Sequence, residues 1–422
     1  MKQTVLSFIC EVQPDRVAQL NALLKNLQSD LLANPNPTLA FPSVKQLHFA
    51  SMLVHEDQGY APILIFEANF DGEVQPFLND LVQVAGAELD RIYRHCRGYN
   101  LGDSSDPALL RNYLRANIVE PSAYYIGNVG RSVQRTLQED GLRGSAEKFL
   151  DDTVALGKDN ASPSRLRQDL QNFVRGVPGL AWVANVPARQ TTSEHVLPWV
   201  KIAIVALVVL AFLPALILPL IIYLIILRWK ETHDIPQTSP ANREHEKALL
   251  ETELRPNSVQ THMSSITIVK PGPFRRWTLR TVLFLIGMAA RVSVKGDLFG
   301  IATIHFAHWS LIDQGRRMVF LSNFDGSWEN YLDDFIDKVS AGLTGVWSNT
   351  TGFPKTKFLF FEGTKNGPRF KATTRDKQTP TTIWYSAYPH LTVQNIDNNS
   401  AIREDLFKTL DEQQTREWLW RF

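Results

Sequence analysis

Cysteine is nearly absent from this chain. Cys10 and Cys96 are its two cysteines in 422 residues, which excludes a disulfide framework and a thiolate metal cluster. A charge imbalance is missing too. Against 44 Lys and Arg stand 43 Asp and Glu, a net charge of +1, so no one-signed field points to nucleic acid. The first residues, MKQTVLSFICEVQPDRV, have one lysine, a short alternating run and then charges. They read as a strand, not as an export signal, and the first domain is expected to fold in the cytosol. The chain carries no HExxH pair, no grouped Cys and His, no phosphate-cradling glycine loop and no nucleophile elbow. Gly127-Asn128-Val129-Gly130 is too short to be such a loop. Zinc-hydrolase, nucleotide-binding and serine-hydrolase chemistry are therefore without support, and no metal site is expected.

What the chain does have is a long apolar run, IAIVALVVLAFLPALILPLIIYLIIL, at 202–227. As a helix it would reach about 39 Å, against a hydrocarbon core of about 30 Å. Lys201 precedes it, Arg228 and Lys230 follow it, and Trp199, Tyr223 and Trp229 stand where interfacial aromatics would anchor it. Pro214 and Pro219 interrupt it. Two readings stay open: a kinked single span, or a shallow re-entrant hairpin with 202–213 and 220–227 as arms. The flanking charges (Arg189 and Lys201 before; Arg228, Lys230, Arg243 and Lys247 after) favour a cytosolic C-terminal side. The expected partner is a lipid bilayer.

Segments of similar size flank this run, and each reads as α+β. In the first, strands are expected at 4–12, 44–54, 63–70 and 123–129, with helices at 14–31 and 73–95. The order β-α-β-β-α-β is that of a ferredoxin-like unit. Further helices follow at 132–152 and, capped by Ser162 with Pro163 at its first position, up to Gly176. Residues 231–262 read as a polar linker with a short helix at 243–254. The pattern then restarts: strands at 265–270, 301–312, 318–324, 357–362 and 382–388, and helices at 274–294, 328–343 and 398–412. The expected division is 1–131, a ferredoxin-like repeat; 132–196, a helical extension; 197–230, the membrane segment; 231–262, the linker; and 263–422, a second repeat.

The duplication can be followed residue by residue. Leu47-His48-Phe49-Ala50 matches Ile304-His305-Phe306-Ala307, and Asn69-Phe70-Asp71-Gly72 matches Asn323-Phe324-Asp325-Gly326. From the two aspartates, Phe77 and Tyr331, Leu78 and Leu332, Leu81 and Phe335, and Val82 and Ile336 recur without a gap. In each turn the plain reading is that Asp caps the next helix while Gly supplies the turn dihedrals. The functional reading makes Asp325 an acid–base group with Asn323 and Arg317 nearby. His48 and His305 occupy equivalent strand positions, and His305 and His308, three apart, are expected on opposite faces. In the 274–294 helix, Trp277 and arginines bracket an apolar stretch, as in a helix buried on its sheet or one lying at a membrane interface.

A tandem pair of such repeats with Asp-Gly turns resembles the dimeric α+β superfamily and, within it, the dye-decolourising haem peroxidases. In that family a Gly-x-x-Asp-Gly turn carries the distal aspartate; here Ala68 and Ser322 stand in place of its first glycine. The resemblance implies haem as cofactor, peroxidase-like oxidoreductase activity and Asp325 as the acid–base residue. Only Asp71-Gly72 and Asp325-Gly326 carry over from the family's turn, no residue matches its proximal histidine, and His305 is the candidate cofactor-binding side chain of this chain. The resemblance also implies pairing of the repeats, within one chain or between two. The alternative is a non-catalytic module on a membrane, binding a lipid or apolar ligand or scaffolding a complex.

Overall fold

The computed structural model describes residues 2–99, 106–155, 162–185, 192–235, 242–292, 300–364 and 367–422. Arg189, the Gly, Asn and Ser loop at 100–105, linker residues 236–241 and the end of the helix expected to reach Val294 lie outside the described residues.

The first half runs β1 (Gln3–Glu11), α1 (Val17–Ala33), β2 (Leu47–His55), β3 (Ile63–Asp71), α2 (Val74–Tyr93), α3 (Pro107–Ala116), β4 (Ile118–Val119), β5 (Ala123–Ile126), α4 (Val133–Ala155) and α5 (Pro163–Gly176). The apolar region forms α6 (Thr192–Ala211) and α7 (Leu213–His233), followed by α8 (Arg243–Glu253). The second half runs β6 (Gln260–Ile268), α9 (Pro273–Val292), β7 (Ile304–Ile312), β8 (Arg317–Asp325), α10 (Trp328–Lys338), α11 (Ser340–Trp347), α12 (Gly367–Asp376), β9 (Ile383–Ser386), α13 (Val393–Leu406) and α14 (Glu412–Leu419). The protein is a mixed α+β structure with two antiparallel sheets.

The sheets do not follow the halves of the sequence. One has the order β4-β1-β3-β2-β9, the other β5-β7-β8-β6. Thus β9, from the second half, lies along β2 with Ala50 opposite Tyr385. In return β5, from the first half, lies along β7 with Tyr125 opposite Ala307. Neither 1–131 nor 263–422 completes its own sheet. The exchange covers the edges of β2 and β7, which would otherwise offer unpaired backbone groups to other chains.

The sheets pack face to face, and helices cover their outer faces. Phe8, Phe66 and Met52 meet Leu20, Leu24, Phe77 and Leu81 of α1 and α2. On the other sheet Trp309, Phe320 and Phe324 meet Leu279 and Leu283 of α9 and Tyr331 of α10. The duplication persists here: Phe70 stacks on Phe77 at 3.7 Å, and Phe324 on Tyr331 at 3.8 Å. A helical layer joins the halves a second time, with Leu142 of α4 and Leu170 of α5 packed against Ile402 and Leu406 of α13 and Trp418 of α14.

Several boundaries move for local reasons. β6 begins at Gln260, inside the expected linker, because Gln260 and Thr261 pair with Asp325 and Phe324. The closing helix starts at Val393, earlier than the expected 398, where Thr392 and Asn395 form a reciprocal capping box. The strand expected at 357–362 is a tight turn with one bridge, Lys357 to Phe361. β5 ends before Gly127, where a Cβ would stand 2.2 Å from the Ile304 carbonyl oxygen.

α7 is long and apolar enough to cross a membrane. Of the two open readings, a hairpin with its tip between Pro214 and Pro219 does not form, because α7 runs through both prolines. The helix axis breaks only at Phe212, whose φ of −98° and ψ of 4° stay near helical values. Hydrogen bonds from Phe212 N to Val208 O and from Leu216 N to Phe212 O bridge the break. Pro214 sits in the first turn of α7, where its missing N–H is harmless, and Pro219 lies inside the helix. The C-terminal end of α7 is fixed to the second sheet's core through buried Leu227 and Glu231, and α6 touches α9. The chain on both sides of the apolar region thus contributes strands to the same two sheets.

The exchange makes a direct prediction. If the chain is divided between Asp234 and Arg243, the two fragments should co-purify when expressed together and should aggregate when expressed alone. A soluble monomer of either fragment with native-like circular dichroism would contradict the shared sheets.

Candidate functional site

The inward positions of the two sheets carry an unusual density of polar groups. β3 reads ILIFEANFD, and alternation along it puts Glu67 and Asn69 on the inner face. The opposing sheet presents His262 from β6, His308 from β7 and Asn323 from β8. Glu67 Oε2 accepts from Ser51 Oγ at 3.0 Å and from His262 Nε2 at 2.9 Å. Its Oε1 accepts from Asn69 Nδ2 at 3.0 Å and faces His308 Nδ1 at 3.5 Å. Asn323 Nδ2 donates to both oxygens at 3.3 Å, while its Oδ1 accepts from Trp384 Nε1 at 2.9 Å. His308 Nε2 meets Ser7 Oγ at 2.9 Å, and His262 Nδ1 meets Thr381 Oγ1 at 2.8 Å.

Burial pushes the Glu67 carboxyl upward, but the hydrogen bond from His262, the charges of His262 and His308, and Asn69 outweigh it and hold it at about 2. His308 is shifted downward, chiefly by burial; Glu67 opposes the shift and His262 adds to it. Glu67 is thus an ionised carboxylate satisfied from both sheets.

Ser7, His308 and Glu67 stand in the order nucleophile, base and carboxylate. All three have 0% exposure, so no substrate carbonyl reaches Ser7 Oγ. The arrangement is a polar clamp between the sheets.

A second set of groups repeats with the duplication. His48 and His305 sit in β-bulges of β2 and β7, each at the point where the register against the neighbouring strand shifts. His48 Nε2 meets Asp71 Oδ1 at 3.1 Å, and His305 Nε2 meets Asp325 Oδ1 at 2.7 Å. Each aspartate's other oxygen accepts from a helix N-terminus, Val133 N for Asp71 and Val393 N for Asp325, both at 2.8 Å. Tyr388 OH adds a 2.7 Å bond to His48 Nδ1. Burial, with Asp71 and Asp325 nearby, raises that hydroxyl well above its usual range, so it stays protonated and donates. The two bulges meet at the centre of the molecule: His48 packs on Phe306 at 5.3 Å and Phe49 on His305 at 5.2 Å.

These positions correct the expected site. Asp325 does not cap the helix that follows it; Ser327 Oγ does, accepting from Asn330 N. Asp325 instead ties His305 to the start of α13, the helix after the exchanged strand. Asn323 belongs to the Glu67 cluster. Arg317 lies eight residues from Asp325 at the far end of β8, about 26 Å away along an extended strand, where its guanidinium pairs with Asp313 and lies 4.2 Å from the Tyr60 ring centroid. The bulge also cancels the alternation argument for His305 and His308: both turn toward the other sheet, one to Phe49 and Asp325, the other to Ser7 and Glu67.

The residues present do not fit a haem. His305 is 1% exposed, is held by Asp325 and is covered by Phe49 and Tyr388. A cleft of about 880 Å³ lies at the Arg317 end and is lined by Tyr60, Arg97, Asp313 and Arg316, with no histidine among its lining residues. Among the described residues no group of three His, Cys, Asp or Glu is arranged to hold a metal ion. Comparison with protein-family models, with curated proteins and with solved structures found no match.

Sequence reasoning missed Glu67, His262, His308, Ser7 and Tyr388. Glu67 carried a signal: a lone carboxylate within an apolar strand can be buried only when paired. Its partners on the opposite sheet, His262, His308 and Asn323, lie 195 and more residues away, beyond the reach of local patterns.

Glu67→Ala, which leaves His262, Ser51, Asn69 and Asn323 without their acceptor and His308 without its facing carboxylate, is expected to cost about 3–5 kcal/mol. Ser7→Ala should cost about 0.5–1.5 kcal/mol. Urea unfolding measures both. An ester hydrolysis that Ser7→Ala abolishes at full stability would instead make the cluster catalytic.

Stability should also fall in acid in two stages. His308 and His55 are shifted down, His55 to about 4 mainly by burial. Below the ordinary histidine value the unfolded chain therefore takes up protons that the native state refuses, and stability is lost from about pH 6.5 downward. Glu67 is shifted down as well, so its contribution is complete above its unfolded value of 4.5 and is lost as pH falls toward about 2. A melting temperature constant from pH 7 to 4 would contradict this.

Proposed function

We propose that the chain is a non-catalytic, membrane-attached module in which two ferredoxin-like repeats interlock into one body on the cytosolic face of a bilayer. The observation that carries this reading is the exposure of α6 and α7. Apolar side chains surround the helix and face outward: Leu207 is 64% exposed, Leu218 65% and Ile225 65%. A patch this long would not stay in water. Lipid is the solvent that fits a helix apolar on every side.

Because both ends of the kinked helix belong to one interlocked body, it attaches to a single leaflet. Trp199 and Lys201 at one end, and Trp229 and Lys230 at the other, sit at headgroup level. The bend at Phe212 dips into the acyl region. Tyr223 holds the arm to α9 through a 3.2 Å bond to Thr278 Oγ1 and a stack on Phe274. The buried clamp around Glu67 then serves to join the repeats, and the molecular role is to bind a lipid surface or to scaffold a complex on it.

The full chain should float with phosphatidylcholine–phosphatidylserine vesicles. Leu218→Arg, Ile221→Arg and Ile225→Arg together should move most of it to the soluble fraction, since each arginine costs about 2.5–3.5 kcal/mol in a membrane core. An unmodified chain that stays soluble beside vesicles would end the membrane reading.

A further inference from the structure

A strained loop beside the C-terminal end of α7 has no part in the clamp. In the segment Pro354–Thr364 (PKTKFLFFEGT), Lys357 N donates to Phe361 O at 2.9 Å and Phe361 N to Lys357 O at 3.1 Å, closing a tight turn. Phe358, Leu359 and Glu362 have φ of 48°, 69° and 73°, a left-handed conformation that side chains with a Cβ adopt only when something enforces it. Buried Glu231 enforces it. Its carboxylate accepts from Thr356 Oγ1 at 3.0 Å, Phe358 N at 3.0 Å and Leu359 N at 2.7 Å, and pairs with Arg228 at 3.1 Å. Leu359 is thereby plugged into the second sheet's core. Phe358, Phe360 and Phe361 are turned outward at 39%, 40% and 61% exposure, directly after exposed Lys355 and Lys357.

We infer that this phenylalanine loop is a second membrane-inserting element, which enters the headgroup and upper acyl region of an anionic leaflet. The inference rests on the membrane reading of α7 and adds a site to it. Two observations select a bilayer as the occupant. First, the loop is continuous with the apolar arm: it is fastened to α7 at Arg228 and Glu231, one turn past the exposed Ile225, with the Arg228 guanidinium 6.0 Å from the Phe358 ring centroid. Second, aromatic and basic groups alternate around it at that level. Lys230 lies 5.9 Å from the Trp229 ring and 5.8 Å from Phe274, and Arg280 lies 5.6 Å from Trp277, itself 66% exposed. Exposed aromatics ringed by cations match the boundary between anionic headgroups and acyl chains. A buried acid holding a costly backbone so that three phenylalanines face outward has no purpose in water.

The test places a nitrobenzoxadiazole label on Phe361→Cys in the full chain, with a Gln413→Cys label on the helical layer as control; Cys10 and Cys96 are 1% exposed and do not compete. Vesicles of phosphatidylcholine and phosphatidylserine are added, with and without doxyl lipid. The Phe361 label should shift to the blue and be quenched by doxyl groups, while the Gln413 label should not change. Replacing Phe358, Phe360 and Phe361 by serine should weaken vesicle partitioning at least tenfold. If the chain floats but the Phe361 label keeps its aqueous spectrum, the loop inference is overturned and the α7 reading stands. A chain that does not float at all overturns both. A label already shielded without vesicles shows that protein covers the loop, and this too overturns the inference.

Discussion

The structure depends on an exchange of strands. Each half of the chain builds three long strands or their equivalents and then gives its last strand to the other half: β5 completes the sheet of β6, β7 and β8, and β9 completes the sheet of β1, β2 and β3. A strand contributed from the opposite half makes each sheet's edge conditional on the other half being folded. The inner faces are conditional in the same way. Glu67 has no adequate set of donors within its own sheet, and the deep burial of a carboxylate is tolerable only because His262, His308 and Asn323 approach from across the interface.

The duplication explains which features are symmetric and which are not. Gln3 and Gln260, Thr4 and Thr261, Asn69 and Asn323, and the histidine–aspartate pairs are equivalent positions doing equivalent work. Thr4 Oγ1 donates to Gly72 O as Thr261 Oγ1 does to Gly326 O. The symmetry breaks at the centre of the interface. Glu67 corresponds to Leu321, Ser51 to His308 and Val5 to His262. One face supplies the carboxylate and the other the imidazoles. Two copies of the first face would bury like charges against each other, whereas first against second is complementary. This asymmetry favours pairing within one chain over pairing of identical halves between chains.

Much of this was readable from the sequence. Alternating runs located β1, β3, β7 and β8 to within a few residues, and the Ser162-Pro163 start of α5 and its stop at Gly176 were correct because caps are local chemistry. The repeat was legible because whole tetrapeptides recur. What escaped was everything decided by distant pairing. β6 was placed late because its first residues are polar and join a sheet only by meeting β8. The turn at Lys357–Phe361 read as a strand because its aromatics look like strand residues, while the constraint on it comes from Glu231 on another element. Asp325 was expected to cap its own helix, since sequence shows the nearest helix and not the one brought up by an exchanged strand. The proline pair left a kinked span and a hairpin open; Pro214 falls in a first turn, where helices accept proline.

The central claim is that the two halves are one interlocked body built on exchanged strands. The measurement that tests it most directly uses Met52→Cys with Ile383→Cys, which stand opposite each other across β2 and β9, at a spacing of about 4.5–5.5 Å that a disulfide can bridge. A protease site is placed between Asp234 and Arg243, and oxidation followed by cleavage is carried out in native membranes. If the strands are exchanged within the chain, the two fragments run as one species on a non-reducing gel and separate only on reduction. Fragments that separate without reductant after complete oxidation would show that the halves do not meet as described.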